Sequence, residues 1–275
     1  MIDSPDRLTA LIQTLYDADE AQRARAARDL RALGAGALEA LAEVAAGRTE
    51  PPRPKRTTGL LGLGPAPDPR RLSALARGEA VALLEVIDDP RAAEALAEVA
   101  GRAEHDQLRC AAALALARRR DARAVPFLIQ GLTCHDAELR GDAAEALGEM
   151  GDPRAVEPLI QTMRMDGQPA PRWKAMTALG RLGDPRAVKA LTDQLAGLLE
   201  LPAADWAPPT ANDYGDQPRQ LIWTTCMHAL EALERLGDPR ALPFLERLAH
   251  EAPARTVGSR AWHVAEHLRQ QNPPA

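Results

Sequence analysis

A short unit, Asp-Pro-Arg-Ala, recurs along the chain and constrains its fold more than any other feature. Its aspartates, one of them followed by alanine instead of proline, are Asp89, Asp121, Asp152, Asp184 and Asp238. Successive copies start 31 or 32 residues apart, except the last, which follows after 54. Arginines stand twelve residues before four of these aspartates, at Arg77, Arg109, Arg140 and Arg172. Two markers that keep one register indicate a repeat architecture with a period near 32 residues.

The unit has the chemistry of a break between two helices. In Gly151-Asp152-Pro153-Arg154, the glycine can leave a helix through left-handed dihedral angles. The aspartate can accept hydrogen bonds from the first N–H groups of the next helix. Proline suits the first helical position, where no N–H group is needed. Each copy therefore predicts a helix, a tight turn and a second helix.

One repeat carries a fuller pattern, which runs through Asp136, Leu139-Arg140, Ala143-Ala144, Ala146-Leu147-Gly148 and Asp152-Pro153-Arg154-Ala155. This pattern resembles HEAT-like repeats, in particular the short type named after the phycobilisome lyases. The resemblance implies an all-α fold, a right-handed α-solenoid of about seven HEAT-like helix pairs, with residues 1–275 as a single array. It leaves the function open, because such repeats serve lyases, scaffolds and adaptors alike.

Two stretches depart from the helical pattern, at residues 47–69 and 200–218. The first contains six prolines and the second contains Pro202, Pro208 and Pro209, so both are interpreted as loop insertions. Both fall between the first and second helix of a pair, in the second and sixth pairs. Turns of that class lie on one edge of a regular solenoid, so the two loops are expected to project from the same edge.

Composition and charge narrow the class of protein. No apolar run of eighteen residues exists, which argues against a membrane span, and the first residues lack the pattern of a signal peptide. The three cysteines form no disulfide framework, which favours a cytoplasmic location. The net charge of −5 argues against nucleic acid as the main partner.

The four marker arginines admit two interpretations. They could form a ladder that grips an anionic ligand. Alternatively, they pair with neighbouring carboxylates such as Asp106 and Asp136 and brace the stack. The second interpretation is favoured, because these arginines follow the repeat itself.

No catalytic, metal or cofactor site is predicted. His263 and His267 are four apart with Glu266 between them, but the sequence HVAEH is not HExxH and no third ligand is identifiable. Deoxyhypusine hydroxylase, another HEAT-like enzyme, binds iron through His-Glu pairs directly after the marker arginine. Those two positions hold other residues in this chain, namely Gly78-Glu79, Cys110-Ala111, Gly141-Asp142 and Trp173-Lys174.

The aromatic residues point to a binding surface instead. Trp173 occupies the position after the marker arginine, which holds Gly78, Cys110 and Gly141 in other repeats. Trp223 lies three residues before Cys226, which takes the arginine position in the sixth pair, so both tryptophans are expected on one face of adjacent second helices. In HEAT-like folds those helices line the concave surface. The alternative is that both tryptophans pack under the 200–218 insertion.

These observations favour a non-enzymatic scaffold or adaptor that binds a protein partner through the concave face and edge loops. The predicted partner-binding residues are Trp173, Trp223, Trp206, Tyr214 and Lys174. The second hypothesis is a subunit of a phycobilin or chromophore lyase-like complex. A DNA-repair enzyme is third and is disfavoured by the acidic balance. The partner's identity and the oligomeric state are left open.

Overall fold

The computed structural model describes residues 5–17, 19–49, 68–202, 206 and 218–273. Fourteen α-helices and no β-strand occur in these residues, which confirms the predicted all-α class. The helix bounds are α1 Pro5–Thr14, α2 Glu20–Leu33, α3 Leu38–Ala45, α4 Pro69–Val86, α5 Pro90–Arg102, α6 Asp106–Arg118, α7 Ala124–Gly131, α8 Ala137–Met150, α9 Val156–Met165, α10 Pro169–Leu182, α11 Arg186–Leu199, α12 Pro218–Leu236, α13 Leu242–Glu251 and α14 Arg255–Gln271.

The helices gather into two compact units, Met1–Phe127 and Leu128–Ala275. In the first unit, the even-numbered helices α2, α4 and α6 pack in a row, and each pairs with the odd-numbered helix before it. In the second unit, α8, α10, α12 and α14 form such a row. Each unit is therefore built as a helical solenoid of HEAT-like pairs. That residues 1–275 form one array stays a prediction.

The five breaks that carry an Asp-Pro-Arg-Ala unit, or its Asp121 variant, use the chemistry of that unit. Gly151 has a left-handed φ of 72°, and the Asp152 carboxylate then accepts from the backbone N–H of Arg154 at 2.9 Å. The same 2.9 Å contact recurs at all five marker aspartates, Asp89, Asp121, Asp152, Asp184 and Asp238. In each copy the arginine side chain also donates to the same carboxylate. The aspartate thus caps the next helix and holds its arginine.

Adjacent second helices come very close where one of them carries glycine. A Cβ atom added at Gly148 of α8 would lie 2.7 Å from the Cα of Ala178 in α10. One layer further on, a Cβ at Gly180 would lie 2.8 Å from the Cα of Ala232 in α12. Backbones this close leave no room for a methyl group. The leucines next to these contacts, Leu147, Leu179 and Leu233, are fully buried between the layers.

Most of both predicted insertions lies outside the described residues. Of the first, the structure describes residues 47–49 and 68–69, and α4 begins one residue before the predicted start at Arg70. Of the second, it describes residues 200–202, Trp206 and Pro218. No helix in the described ranges is both long and apolar enough to cross a membrane.

We expect Asp152→Ala to lower the free energy of unfolding by about 1 kcal/mol at pH 7, because a helix N-cap is lost. Asp152→Asn should cost less at pH 7, since asparagine caps helices about as well as aspartate. Chemical denaturation of both variants measures this. An alanine variant as stable as wild type would show that Asp152 contributes no cap.

The pH dependence gives a separate check on Asp152. The Arg154 side chain, followed by the Arg154 backbone N–H, hydrogen-bonds the carboxylate and lowers the pKa of Asp152. A lowered pKa in the folded state stabilises the fold above the ordinary value near 3.9, and this contribution disappears as the pH falls through the folded pKa. The stability difference between wild type and Asp152→Asn should therefore shrink below about pH 4. If the stability difference between wild type and Asp152→Asn does not change with pH, the charge of Asp152 does not contribute to stability.

We expect Gly148→Ala to destabilise the fold by about 1–3 kcal/mol, because the new methyl group would overlap the backbone of Ala178. Gly197→Ala is the matched control, since Gly197 lies on the exposed side of α11 and a Cβ there meets no atom within 4 Å. The control should raise stability by about 0.5–1 kcal/mol. The denaturant midpoints of the two variants show whether their free energies of unfolding change in opposite directions. If both variants shift stability in the same direction, the close approach of α8 and α10 is not tight.

Candidate functional site

The four marker arginines donate to backbone carbonyls at the end of the preceding helix or, for Arg140, in the turn that follows it. Arg77 donates to Ala45 at 3.1 Å, Arg109 to Ala103 at 3.0 Å and Arg172 to Met163 at 3.0 Å. Arg140 donates to two carbonyls, those of Cys134 at 3.0 Å and His135 at 2.9 Å. Carbonyls at a helix C-terminus have no N–H partner within the helix, and a guanidinium can donate hydrogen bonds to them. These arginines therefore join the two helices of a pair.

The carboxylate partners of the marker arginines differ in part from those expected. Asp106 accepts a hydrogen bond from Arg109, as the sequence suggested. Asp136 instead caps α8 by accepting from the N–H of Glu138, and Arg140 pairs with Asp166 at 2.6 and 2.8 Å. The hydrogen bond from Arg140 lowers the pKa of Asp166 against the opposing effect of burial. The guanidinium of Arg140 is thus fully committed to protein groups.

Trp173 has defined contacts with the next second helix. Its indole Nε1–H donates to the Oγ1 of Thr225 at 3.0 Å. Its ring stacks on the imidazole of His228, with centroids 5.8 Å apart and planes 19° apart. The Oγ1 of Thr177 lies 3.4 Å from Nδ1 of the same imidazole. Both partners of Trp173 belong to α12, so its side chain is held in one orientation, half-buried.

A cavity of about 360 Å³ lies beside Trp173, in the second-helix surface, which we define as the face formed by α8, α10 and α12. Its lining residues come from the first turns of α8 and α10 and from the turn before α10, and they are Ala137, Glu138, Gly141, Gln168, Pro169, Ala170, Trp173 and Lys174. Two predicted partner-binding residues, Trp173 and Lys174, thus line one cavity. All the lining residues belong to the second compact unit.

Lys174 forms one wall of the cavity with its charge turned toward α8. Its ammonium lies 2.7 Å from Asp142 and 3.4 Å from Glu145. A Cβ atom at Gly141 would lie 2.9 Å from the Cδ of Lys174, so the glycine gives the lysine chain its path across α8. Burial works against the charged form, but the two carboxylates outweigh it and raise the pKa of Lys174. The ammonium is therefore charged and already paired.

His228 was not singled out by the sequence. It sits 54 residues after Lys174, and only the packing of α10 on α12 brings its ring to Trp173. Burial lowers the pKa of His228, while the charge of Glu231 opposes this shift. The imidazole is therefore neutral near pH 7, as suits a ring stacked on an indole. Thr225 was missed for the same reason.

The remaining predicted partner-binding residues are distributed differently. Trp223 is half-buried on α12, and the described contacts of Trp173 on that helix are with Thr225 and His228. Trp206 is only 2% exposed, and its indole nitrogen has no hydrogen-bond partner among the described residues. A part for Trp206 in partner binding stays a prediction. Tyr214 lies outside the described residues, as does most of the insertion expected to cover the tryptophans.

His263, His267 and Cys226 have defined surroundings in the described part of the chain. No group of three metal-ligating side chains occurs there. His267 contacts Gln271 at 2.8 Å, and His263 packs edge-on against Trp262. Burial raises the pKa of the Cys226 thiol to about 12, which keeps it protonated.

Two family models match parts of this sequence. A family model described as HEAT repeats matches residues 69–146 and 125–197, and one described as the PBS lyase HEAT-like repeat matches residues 227–250. A comparison with curated proteins finds no match.

Two solved structures align over nearly the whole chain. The X-ray structure of YibA from E. coli is 16% identical, covers 96% of this chain and 93% of its own, and gives a TM-score of 0.42. A crystal structure of an engineered protein is 21% identical, covers 96% of this chain and 97% of its own, and gives a TM-score of 0.34. The family assignment rests on the repeat models, which together match more than half of the residues. With its Asp-capped helix pairs and arginine-braced turns, the chain belongs to the HEAT-like repeat proteins.

Proposed function

We propose that this HEAT-like protein is a non-enzymatic scaffold that binds a protein partner on the second-helix surface, at the cavity beside Trp173. The single observation that carries the proposal is the placement of Trp173. A large aromatic side chain replaces the small residues of the other repeats, and it borders a cavity instead of filling the core. Tryptophan is among the residues that contribute most to binding energy at protein interfaces.

The site is organised before any partner arrives. The hydrogen bond to Thr225 and the stacking on His228 hold the indole in place. Binding therefore does not have to order this side chain, which removes part of the entropic cost of association. Lys174 is held in the same way by Asp142 and Glu145. A rigid wall with little freedom left to lose favours recognition of another protein.

The lining combines apolar and polar groups, as partner-binding recesses do. Ala137, Pro169 and Ala170 supply apolar surface, while Glu138 and Gln168 supply polar groups that can orient a guest. A volume of about 360 Å³ lies at the small end of ligand cavities, and we assign it to one or two side chains of a partner. Trp223 and Tyr214 remain proposed extensions of this surface, and the edge loops at 47–69 and 200–218 remain proposed partner-binding segments.

Site-specific photo-crosslinking tests the proposal and captures the partner in the same experiment. A p-benzoylphenylalanine residue placed at Ala170, on the exposed rim of the cavity, should crosslink a protein in cells of the native host. The control position is Lys189, whose side chain is 83% exposed on α11 and does not line the cavity. An adduct at Ala170 but not at Lys189 supports docking at the cavity. Equal adducts at both positions, or none at Ala170, contradict it.

With the captured partner in hand, Trp173→Ala should weaken its binding by about 30-fold or more, the equivalent of about 2 kcal/mol. Titration calorimetry measures the affinity, and circular dichroism checks that the helices remain folded. If affinity is unchanged while the melting temperature falls, Trp173 is a packing residue only. A coloured ligand that co-purifies with the protein would instead support the chromophore-lyase hypothesis.

A further inference from the structure

The Trp173 ring both stacks on His228 and lines the cavity. His228 belongs to α12 and does not line the cavity. The cavity's other lining residues belong to α8, to the start of α10 and to Gln168 in the preceding turn. A guest in the cavity thus meets the indole of Trp173, whose stacking partner lies on another helix.

The charges around the cavity are unequal. Glu138 lines it, and its exposed carboxylate forms no ion pair with the described residues. The ammonium of Lys174 is shared between Asp142 and Glu145, and Arg181 lies near Glu145 at 4.0 Å and Glu149 at 3.6 Å. The charged lining residues are Glu138 and Lys174, and Lys174 already has two carboxylate partners. The carboxylate of Glu138 is therefore the charged group of the lining that forms no ion pair with the described residues.

Resting on the proposed function, we infer that the cavity takes a cationic side chain of the partner protein, an arginine, stacked on the Trp173 ring and paired with Glu138. Indole is the aromatic ring that binds cations best through its π-electrons. A guanidinium is planar, so it stacks on a ring and still directs N–H donors to a carboxylate at its edge. A lysine ammonium has no such plane.

An anionic side chain fits this cavity poorly. A carboxylate on the partner would meet the unpaired charge of Glu138, and the nearest cation, Lys174, already has two carboxylate partners. An apolar side chain would find the indole but would leave Glu138 without a counter-charge. Arginine can both stack on the ring and pair with the carboxylate.

The direct test uses a small probe, N-acetyl-arginine N-methylamide, on the full-length ¹⁵N-labelled protein. Its neutral counterpart is the citrulline analogue, which has nearly the same shape but no charge. The Trp173 indole N–H signal, assigned by its loss in Trp173→Phe, should shift saturably with the arginine probe, with a Kd on the order of 1 mM for a ligand of this size. The citrulline probe should give no saturable shift.

Glu138→Gln should weaken the arginine probe about 5-fold, because the ion pair is lost while the ring remains. Glu157→Gln is the control, since it removes the same charge from α9, and Glu157 does not line the cavity. Equal binding of both probes, or an unchanged affinity in Glu138→Gln, overturns the cationic guest. An adduct at the Ala170 position would in that case still support partner docking. A saturable arginine shift without any adduct would leave the cation site standing and defeat the docking proposal.

Discussion

The close approach of the second helices is the contact on which the rest of the second unit depends. Because Gly148 and Gly180 have no side chain, the backbones of α8, α10 and α12 come within van der Waals contact of one another. That spacing fixes which residues face each other across the layers. It brings Trp173 to Thr225 and His228, and Lys174 to Asp142. A wider spacing would remove every contact that defines the candidate site.

Arginine side chains stabilise the turns between helices by donating hydrogen bonds to backbone carbonyls. Within a pair, a marker arginine satisfies carbonyls at the end of the first helix, which otherwise have no partner. Between pairs, the arginine of the Asp-Pro-Arg-Ala unit reaches the preceding copy, where Arg186 donates to the carbonyl of Pro153 and Arg240 to that of Pro185, at 3.2 and 3.3 Å. Each of these arginines also pairs with its own aspartate, so the aspartate caps the helix while the arginine aligns neighbouring layers.

The sequence predicted the helices and turns that recur in every repeat. It did not predict the side-chain contacts that occur in one repeat only. The helix α8 spans 137–150, the stretch between Asp136 and Gly151 of the quoted pattern, because the aspartate caps its start and the glycine ends it. The partner of Arg140 could not be predicted, since Asp136 and Asp166 both suit it and only the turn before α10 decides between them. The burial of Trp206 could not be predicted for another reason: an aromatic residue in a proline-rich stretch has the same local signature whether its side chain is exposed or buried. The stacking of Trp173 on His228 could not be predicted, because the two residues are 55 apart in the sequence and an insertion lies between them.

The cavity itself follows from a difference between two consecutive layers. Gly141 and Trp173 occupy the same position of the repeat, directly after the marker arginine, and both line the cavity. Had both positions held glycine, the second-helix surface would have no wall there. Had both held tryptophan, the two rings would compete for the space that Lys174 now crosses. Because Trp173 is large and Gly141 is small at equivalent positions of neighbouring repeats, a cavity forms between them. In a repeat protein, a binding site arises where one layer departs from its neighbours, because identical layers present a uniform surface.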